Sequence, residues 1–229
     1  YAGLVEGMDK SLGDLMDYLE VKGIAQNTVI IFMSDNGGYT IGRTNKNYPL
    51  SEGKGSLKEG GIREPMIVCW PGVTQPATVN VTPVIIEDFF PSILELAGMK
   101  GRIHTPQIID GRSFVAQLKG KQGDQKRPLY FHYPNNWGER YETTGAPQSA
   151  VIEGDWKLIY YYESQTSALF NLKEDISEQQ NLIGEKAYQK IALKLAKDLT
   201  RHLKKTNATM PVVKVTGDFV KYPDGSGVE

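Results

Sequence analysis

Three observations predict an α/β chain in which a small antiparallel sheet, packed with a C-terminal helix, follows a larger α/β portion. Apolar residues recur at helical spacing from Leu4 to Leu19, and an unbroken apolar run, Thr28-Val29-Ile30-Ile31-Phe32-Met33, comes next. Beyond residue 128 the pattern changes to short runs of strand-forming residues separated by tight turns. A last amphipathic stretch, from about Glu185 to Lys205, closes the series. The expected division is 1–125 for the α/β portion, 126–210 for the sheet with its helix, and 211–229 for an extended tail.

Leu4, Val5, Met8, Leu12, Leu15, Met16 and Leu19 form one stripe, with Asp9, Lys10, Asp14 and Asp17 between them. A core-packed helix ending at Gly23 is therefore expected. The run 28–33 is apolar throughout, as parallel strands covered on both faces are. Ser34 to Arg63 is long for a connection inside a compact domain, and loops of that length are usually functional or disordered. Pro65-Met66-Ile67-Val68-Cys69-Trp70 reads as a second buried strand, ended by Pro71-Gly72, with Cys69 a small buried apolar residue in it. Asp88 is placed to cap a short helix with Pro91 in its first turn and Gly98 at its end. Ser113 to Leu118 reads as another short helix, stopped by Gly120, and the polar stretch Lys119 to Arg127 as a boundary.

Pro128 to Tyr133 then reads as a strand. Ala150–Glu153 and Trp156–Tyr161 flank Gly154-Asp155, a two-residue hairpin signal that Trp156 and Lys157 are expected to frame. Ala168 to Leu172 gives a further strand. In the last helix Tyr188, Ile191, Ala192, Leu195, Leu199 and Leu203 make a stripe suited to cover one sheet face. From Met210 onward, Pro211, Gly217, Pro223 and Gly225 predict extended or loose chain.

The 229 residues can bury a core, and the formal net charge of −1 gives no bulk electrostatic case for nucleic acid. No apolar run is long enough to span a bilayer, and a single cysteine excludes an internal disulfide. Tyr1-Ala2-Gly3-Leu4-Val5 carries neither an initiator methionine nor a signal-peptide pattern, so a piece of a longer protein is expected.

Ser34-Asp35-Asn36-Gly37-Gly38 stands where the first strand stops, and in open α/β sheets ligands bind beyond the carboxyl ends of strands. Asp-Asn-Gly is ordinary turn chemistry, and it is also a pair of oxygen donors for a hard cation. Gly53-Lys54-Gly55 fails as a Walker A loop, because Gly55 stands where Ser or Thr is required and Tyr48 where a glycine is. There is no G-x-S-x-G, no H-E-x-x-H and no second cysteine for a C-x-x-C.

Taken together, Ser34-Asp35-Asn36-Gly37, then Gly53-Lys54-Gly55-Ser56-Leu57-Lys58-Glu59-Gly60-Gly61-Ile62-Arg63-Glu64-Pro65 and Trp70-Pro71-Gly72, resemble the sulfatase family. Asp88-Phe89-Phe90-Pro91-Ser92-Ile93-Leu94-Glu95-Leu96-Ala97-Gly98, Asp110-Gly111-Arg112-Ser113 and Gly154-Asp155-Trp156-Lys157-Leu158 continue the resemblance in family order, to about Leu182. It implies the C-terminal part of an alkaline-phosphatase-like α/β domain. It also implies sulfate-ester hydrolysis by a formylglycine made from Cys or Ser in a C-x-P-S-R or related motif, with a divalent cation, usually calcium and alternatively magnesium. By position, Asp35 and Asn36 are similar to two ligands of that cation, and Lys54 to the lysine that contacts the sulfate. The formylglycine motif is expected upstream and is absent from this chain, since Cys69-Trp70-Pro71-Gly72-Val73 lacks the arginine. The 229 residues alone are therefore expected to be inactive.

Arg63 is expected to pair with a carboxylate such as Glu59. Phe131-His132-Tyr133-Pro134 and the loop Asn135-Asn136-Trp137-Gly138-Glu139-Arg140-Tyr141 look like bacterial carbohydrate sulfatases, which implies a sulfated carbohydrate partner. His132 is read as a substrate-side residue or a structural hydrogen-bonding one. The resemblance also implies a periplasmic or secreted setting, and self-association through uncovered apolar surface is expected. The rival readings are a phosphodiesterase or phosphonate hydrolase of the same superfamily, and a non-catalytic module binding sulfated glycans.

Overall fold

The stripe from Leu4 to Leu19 folds as helix α1 (Ala2–Val21), and Gly23 at φ +67° ends it. In this computed structural model residues 1–39, 47–99, 101, 105–136 and 146–225 are described. His104 and Trp137 to Tyr141 lie outside them. The described chain separates into two compact units, one of 1–33 with 66–124 and one of 34–65 with 125–229.

In the first unit, strands β1 (Ile30–Met33) and β2 (Met66–Cys69) pair antiparallel, with Ile31 opposite Val68. This corrects the expectation of a parallel strand covered on both faces. The thirty-odd residues between the strands are long enough for either direction of pairing. No further strand joins the pair among the described residues, so β2 alternates half-buried and exposed positions. Cys69 falls on an exposed position of that alternation and is not buried. Helix α1 likewise buries no residue, so its apolar stripe is not core. Leu4, Met8, Leu15 and Met16 stand exposed, as the expectation of uncovered apolar surface requires.

Helix α3 (Phe89–Leu96) ends at Gly98, φ +74°, as the sequence indicates. Asp88 begins it without a side-chain cap. The buried Asp88 carboxylate instead accepts from the Ile85 and Arg112 backbone N–H groups, at 3.1 and 2.6 Å. The buried Ser92 hydroxyl donates to the Asp88 carbonyl at 2.6 Å and accepts from the Phe114 N–H at 2.9 Å. These bonds tie α3 to the segment leading into α4 (Val115–Leu118), and they account for the Asp110-Gly111-Arg112-Ser113 stretch. A Cβ on Gly111 would lie 1.9 Å from the Glu87 carbonyl oxygen.

In the second unit, β3 (Leu129–Tyr133), β4 (Gln148–Glu153), β5 (Trp156–Tyr161) and β6 (Thr166–Asn171) form an antiparallel sheet in that order. The hairpin closes at Gly154, φ +60°, with Glu153 opposite Trp156. Period-two alternation gives the sheet two buried faces. Val151, Leu158, Tyr160, Tyr162 and Leu169 pack with Ala192, Leu195, Leu199 and Leu203 of α5 (Gln189–Lys205). Ala150, Ile159, Ala168 and Phe170 face the other way, where Leu57 and Ile62 of the glycine-rich segment cover them. The segment 34–65 therefore serves as the second layer on this sheet, and it ends in a one-turn helix, α2 (Glu59–Ile62). The tail is less loose than expected. Val212 bridges Phe219, Val220 and Tyr222 pack on the α5 side of the sheet, and Pro223 is buried.

Candidate functional site

Asp35, Asn36 and Lys54 lie on two strands of backbone that are stitched together within the second unit. The Gly37 N–H donates to the Gly61 carbonyl at 3.2 Å, and the Lys54 N–H to the Gly38 carbonyl at 3.2 Å. The Asn47 amide nitrogen sits among three carbonyl oxygens, those of Glu52, Gly60 and Gly38, at 2.8, 3.0 and 3.3 Å. Glycine is required where these backbones touch. A Cβ on Gly37 would lie 1.7 Å from the Gly60 carbonyl oxygen, and one on Gly60 2.2 Å from that of Ser51.

The Asp35 carboxylate is exposed. The Asn36 side-chain nitrogen donates to the Gly37 carbonyl at 3.0 Å, a bond that leaves the amide oxygen unengaged. The Ser34 hydroxyl donates to the Asn36 carbonyl at 3.0 Å and fixes the turn. Carboxylate and amide oxygens are hard donors that suit calcium or magnesium, but calcium takes six to eight oxygens. Among the described residues no group of three His, Cys, Asp or Glu side chains could hold a metal. The pair fits part of a hard-cation shell and not the whole. Nearby, burial pushes the Glu64 carboxyl above the usual carboxylate range, with a Ser34 hydrogen bond opposing and the Asp35 charge adding to the rise. Gly37, Asn47, Leu50, Gly60, Arg63 and Glu64 help line an open hollow of about 190 Å³.

Two cations of the glycine-rich segment have carboxylate partners. Lys58 meets Glu52 at 3.4 Å, and Arg63 meets Glu59 at 3.2 Å, the structural pairing its sequence position suggests. Lys54 is half-buried and has no carboxylate partner among the described residues. An ammonium group so placed can receive an anion.

One part of the arrangement is not legible as a motif. Lys157, expected to frame the hairpin, is fully buried, 0 % exposed, on the sheet face that the segment covers. Its ammonium group lies 3.0 Å from a carboxylate oxygen of Glu59 and 3.0 Å from one of Glu178. The other Glu178 oxygen accepts from the Glu59 N–H at 2.6 Å. Burial raises the Glu178 carboxyl, with the Lys157 charge opposing. The sequence signal was a lysine at an inward position of the alternating strand Trp156–Tyr161, which demands buried carboxylates.

His132 lies apart from these groups. Its Nδ1 is 2.7 Å from the Ser149 hydroxyl and its Nε2 2.7 Å from the Thr209 carbonyl oxygen. The Ser149 hydroxyl also meets that of Tyr162 at 2.8 Å, and the His132 ring stands edge-on to Tyr162. With both ring nitrogens engaged, this geometry favours the structural reading of His132.

Comparison with known proteins agrees with this architecture. Residues 53–205 match the family described as N-sulphoglucosamine sulphohydrolase, C-terminal, and residues 1–99 match the sulfatase family. A sulfatase of Formosa agariphila is 36% identical over 248 residues, spanning 100% of this chain and 44% of that protein. A protein solved in complex with its substrate D-glucosamine-2-N,6-O-disulfate superposes with a TM-score of 0.72 at 24% identity, over 90% of this chain and 40% of the other. Phosphonate monoester hydrolase from Silicibacter pomeroyi superposes with a TM-score of 0.66 at 19% identity, over 97% of this chain and 44% of the other. The chain thus spans less than half the length of these relatives, and the structural likenesses speak for the alkaline-phosphatase-like fold alone. No helix among the described residues is long and apolar enough to cross a membrane.

Proposed function

The chain belongs to the sulfatase family, and from that premise we propose that it supplies one side of a site hydrolysing sulfate esters on glycans. The observation that carries this reading is Lys54, whose ammonium group has no carboxylate partner among the described residues, while the neighbouring Lys58 and Arg63 each have one. Lys54 contacts the sulfate and offsets the negative charge that builds on its oxygens as the bond from sulfur to the sugar oxygen breaks. Asp35 and Asn36 contribute two oxygens to a divalent-cation site, calcium before magnesium. A divalent cation held there would supply positive charge beside the sulfate. The nucleophile is a formylglycine from outside these 229 residues, in which no C-x-P-S-R occurs. The sugar is proposed from the substrate of the structural neighbour and from the described family, which both concern sulfated glucosamine.

The test uses the full-length protein with sulfated glucosamine and a chromogenic sulfate ester. Lys54→Met is expected to lower kcat/KM by roughly 10²–10³-fold without altering the unfolding midpoint. Asp35→Asn is expected to raise the calcium concentration needed for half-maximal turnover by about tenfold or more. Turnover by Lys54→Met within about threefold of wild type would remove Lys54 from the site. A second reading draws on the likeness to a phosphonate monoester hydrolase. Faster turnover of phosphonate monoesters than of sulfate esters by the wild-type protein would decide for it.

A further inference from the structure

The charges beneath the glycine-rich segment are directional. Glu59 is the first residue of α2, directly after the Gly53–Lys58 turn. It is held at two points by residues distant in sequence. Lys157 takes a side-chain oxygen at 3.0 Å, and Glu178 takes the backbone N–H at 2.6 Å. Three further bonds carry that placement back to Lys54. The Ser51 carbonyl accepts from the Gly60 N–H at 2.8 Å, the Ser56 hydroxyl accepts from the Lys58 N–H at 3.0 Å, and the Gly53 carbonyl accepts from the Ser56 N–H at 3.0 Å. The Glu178 loop adds its own ties, since the Ser51 hydroxyl meets the Ser177 carbonyl and accepts from the Gln179 amide at 3.0 Å.

A buried ion pair is weak evidence for stability, because well-packed apolar residues of similar volume often do as well or better. Apolar contact is non-directional and cannot set the height of a backbone N–H above a sheet. The Lys157 bond to the Glu59 carboxylate and the Glu178 bond to the Glu59 N–H can, because each works over a narrow range of distance and angle.

We propose that Lys157, together with Glu178, is a positioning residue for Lys54, fixing Glu59 and through it the glycine turn against the sheet. Lys157 is fully buried beneath the segment, so it acts through the segment it holds. The catalytic consequence rests on the sulfate-ester reading. The placement of the turn does not.

The experiment compares full-length wild type with Lys157→Met, which keeps the length of the side chain and removes its charge. Amide hydrogen exchange is read at Ser56 and Gly60 in the turn, with Leu195 and Leu199 of α5 as internal controls. Exchange in the turn is expected to accelerate by about tenfold or more while the α5 amides hold. On a sulfate ester, kcat is expected to fall by about tenfold or more with KM changed by less than about threefold. Should Lys157→Met fail to fold, Lys157→Met/Glu178→Gln, which removes a buried carboxylate left unpaired, takes its place under the same criterion. Turn exchange within about twofold of wild type in either folded variant overturns the inference. A wild-type protein without sulfate-ester turnover sinks the functional reading and leaves the exchange result to decide the positioning role.

Discussion

Replacing Gly37 by alanine tests whether the two backbones of the site are held as closely as the geometry requires. The added Cβ falls 1.7 Å from the Gly60 carbonyl oxygen, 2.7 Å from its carbon and 2.9 Å from the Gly61 Cα, all backbone atoms. Reaching even the 3.0 Å floor of real contacts needs a separation of 3.0 − 1.7, or about 1.3 Å. That movement breaks the Gly37 N–H bond to Gly61, now 3.2 Å, and pulls on the Asn47 amide that spans Gly38 and Gly60. Gly37 is not among the positive-φ glycines, so the penalty is steric. Overpacking costs about 1–3 kcal/mol and a lost hydrogen bond about 1 kcal/mol, giving roughly 2–4 kcal/mol in all.

Gly154→Ala is the control for backbone conformation alone. Its φ is +60°, and the nearest atom to an added Cβ, the Lys126 Cγ, is 3.9 Å away, so only a left-handed penalty of about 1–2 kcal/mol applies. Urea unfolding of both variants beside wild type, compared at equal m, reads the difference. Finding Gly37→Ala no more destabilised than Gly154→Ala would refute the close-approach argument. A lowered m in Gly37→Ala would show that the native segment had come away from the sheet.

Burial pushes the Tyr162 hydroxyl up to about 12, while the unfolded chain titrates near 10. The folded pKa is the higher one, so this contribution is present below about pH 10 and is lost as the pH rises through about 12, a change of roughly 2–3 kcal/mol. Tyr162→Phe loses the Ser149 hydrogen bond and about 1 kcal/mol at pH 7, but it escapes the alkaline loss. Urea unfolding at pH 7, 10 and 12 should show the gap closing and changing sign, and a constant gap would count against the assignment. In the first unit, Ser92→Ala leaves the buried Phe114 N–H without its acceptor and is expected to cost about 1–3 kcal/mol by the same measurement. A cost below about 0.5 kcal/mol would mean that α3 and the Phe114 segment are not tied through this hydroxyl.

The small sheet and its helix were legible because both carry strong periodicity. Trp156–Tyr161 alternates between two buried faces, and the α5 stripe fits one of them. Asp35, Asn36 and Lys54 were named by resemblance, and the structure brings the backbones that carry them together. The pairing of β1 with β2 was not, since the long connection between them sets no direction. Nor was the exposure of Cys69, which depends on what lies over the second strand rather than on the strand itself. Asn47, Lys157 and Glu178 escaped for a different reason. Lys157 and Glu178 act on charge or backbone far away in the chain, 119 residues for the Glu178 bond to Glu59, while Asn47 bonds to backbone carbonyls within its own segment; neither kind of pairing leaves a residue pattern of its own. Lys157 left a faint one, an inward charge in a strand.

The layering of residues 34–65 on the small sheet also sets an order of assembly. The surface on which Leu57 and Ile62 rest is built from Ala150, Ile159, Ala168 and Phe170, and the clasp at Glu59 needs Glu178. A ribosome emits the glycine turn more than a hundred residues before that clasp. The turn must wait, unclasped, while the sheet that receives it is made. Closure of so long a loop is an entropic cost met late, after the local hairpins have formed. The part of the site that rests on this clasp therefore takes its final shape only once Glu178 is in place.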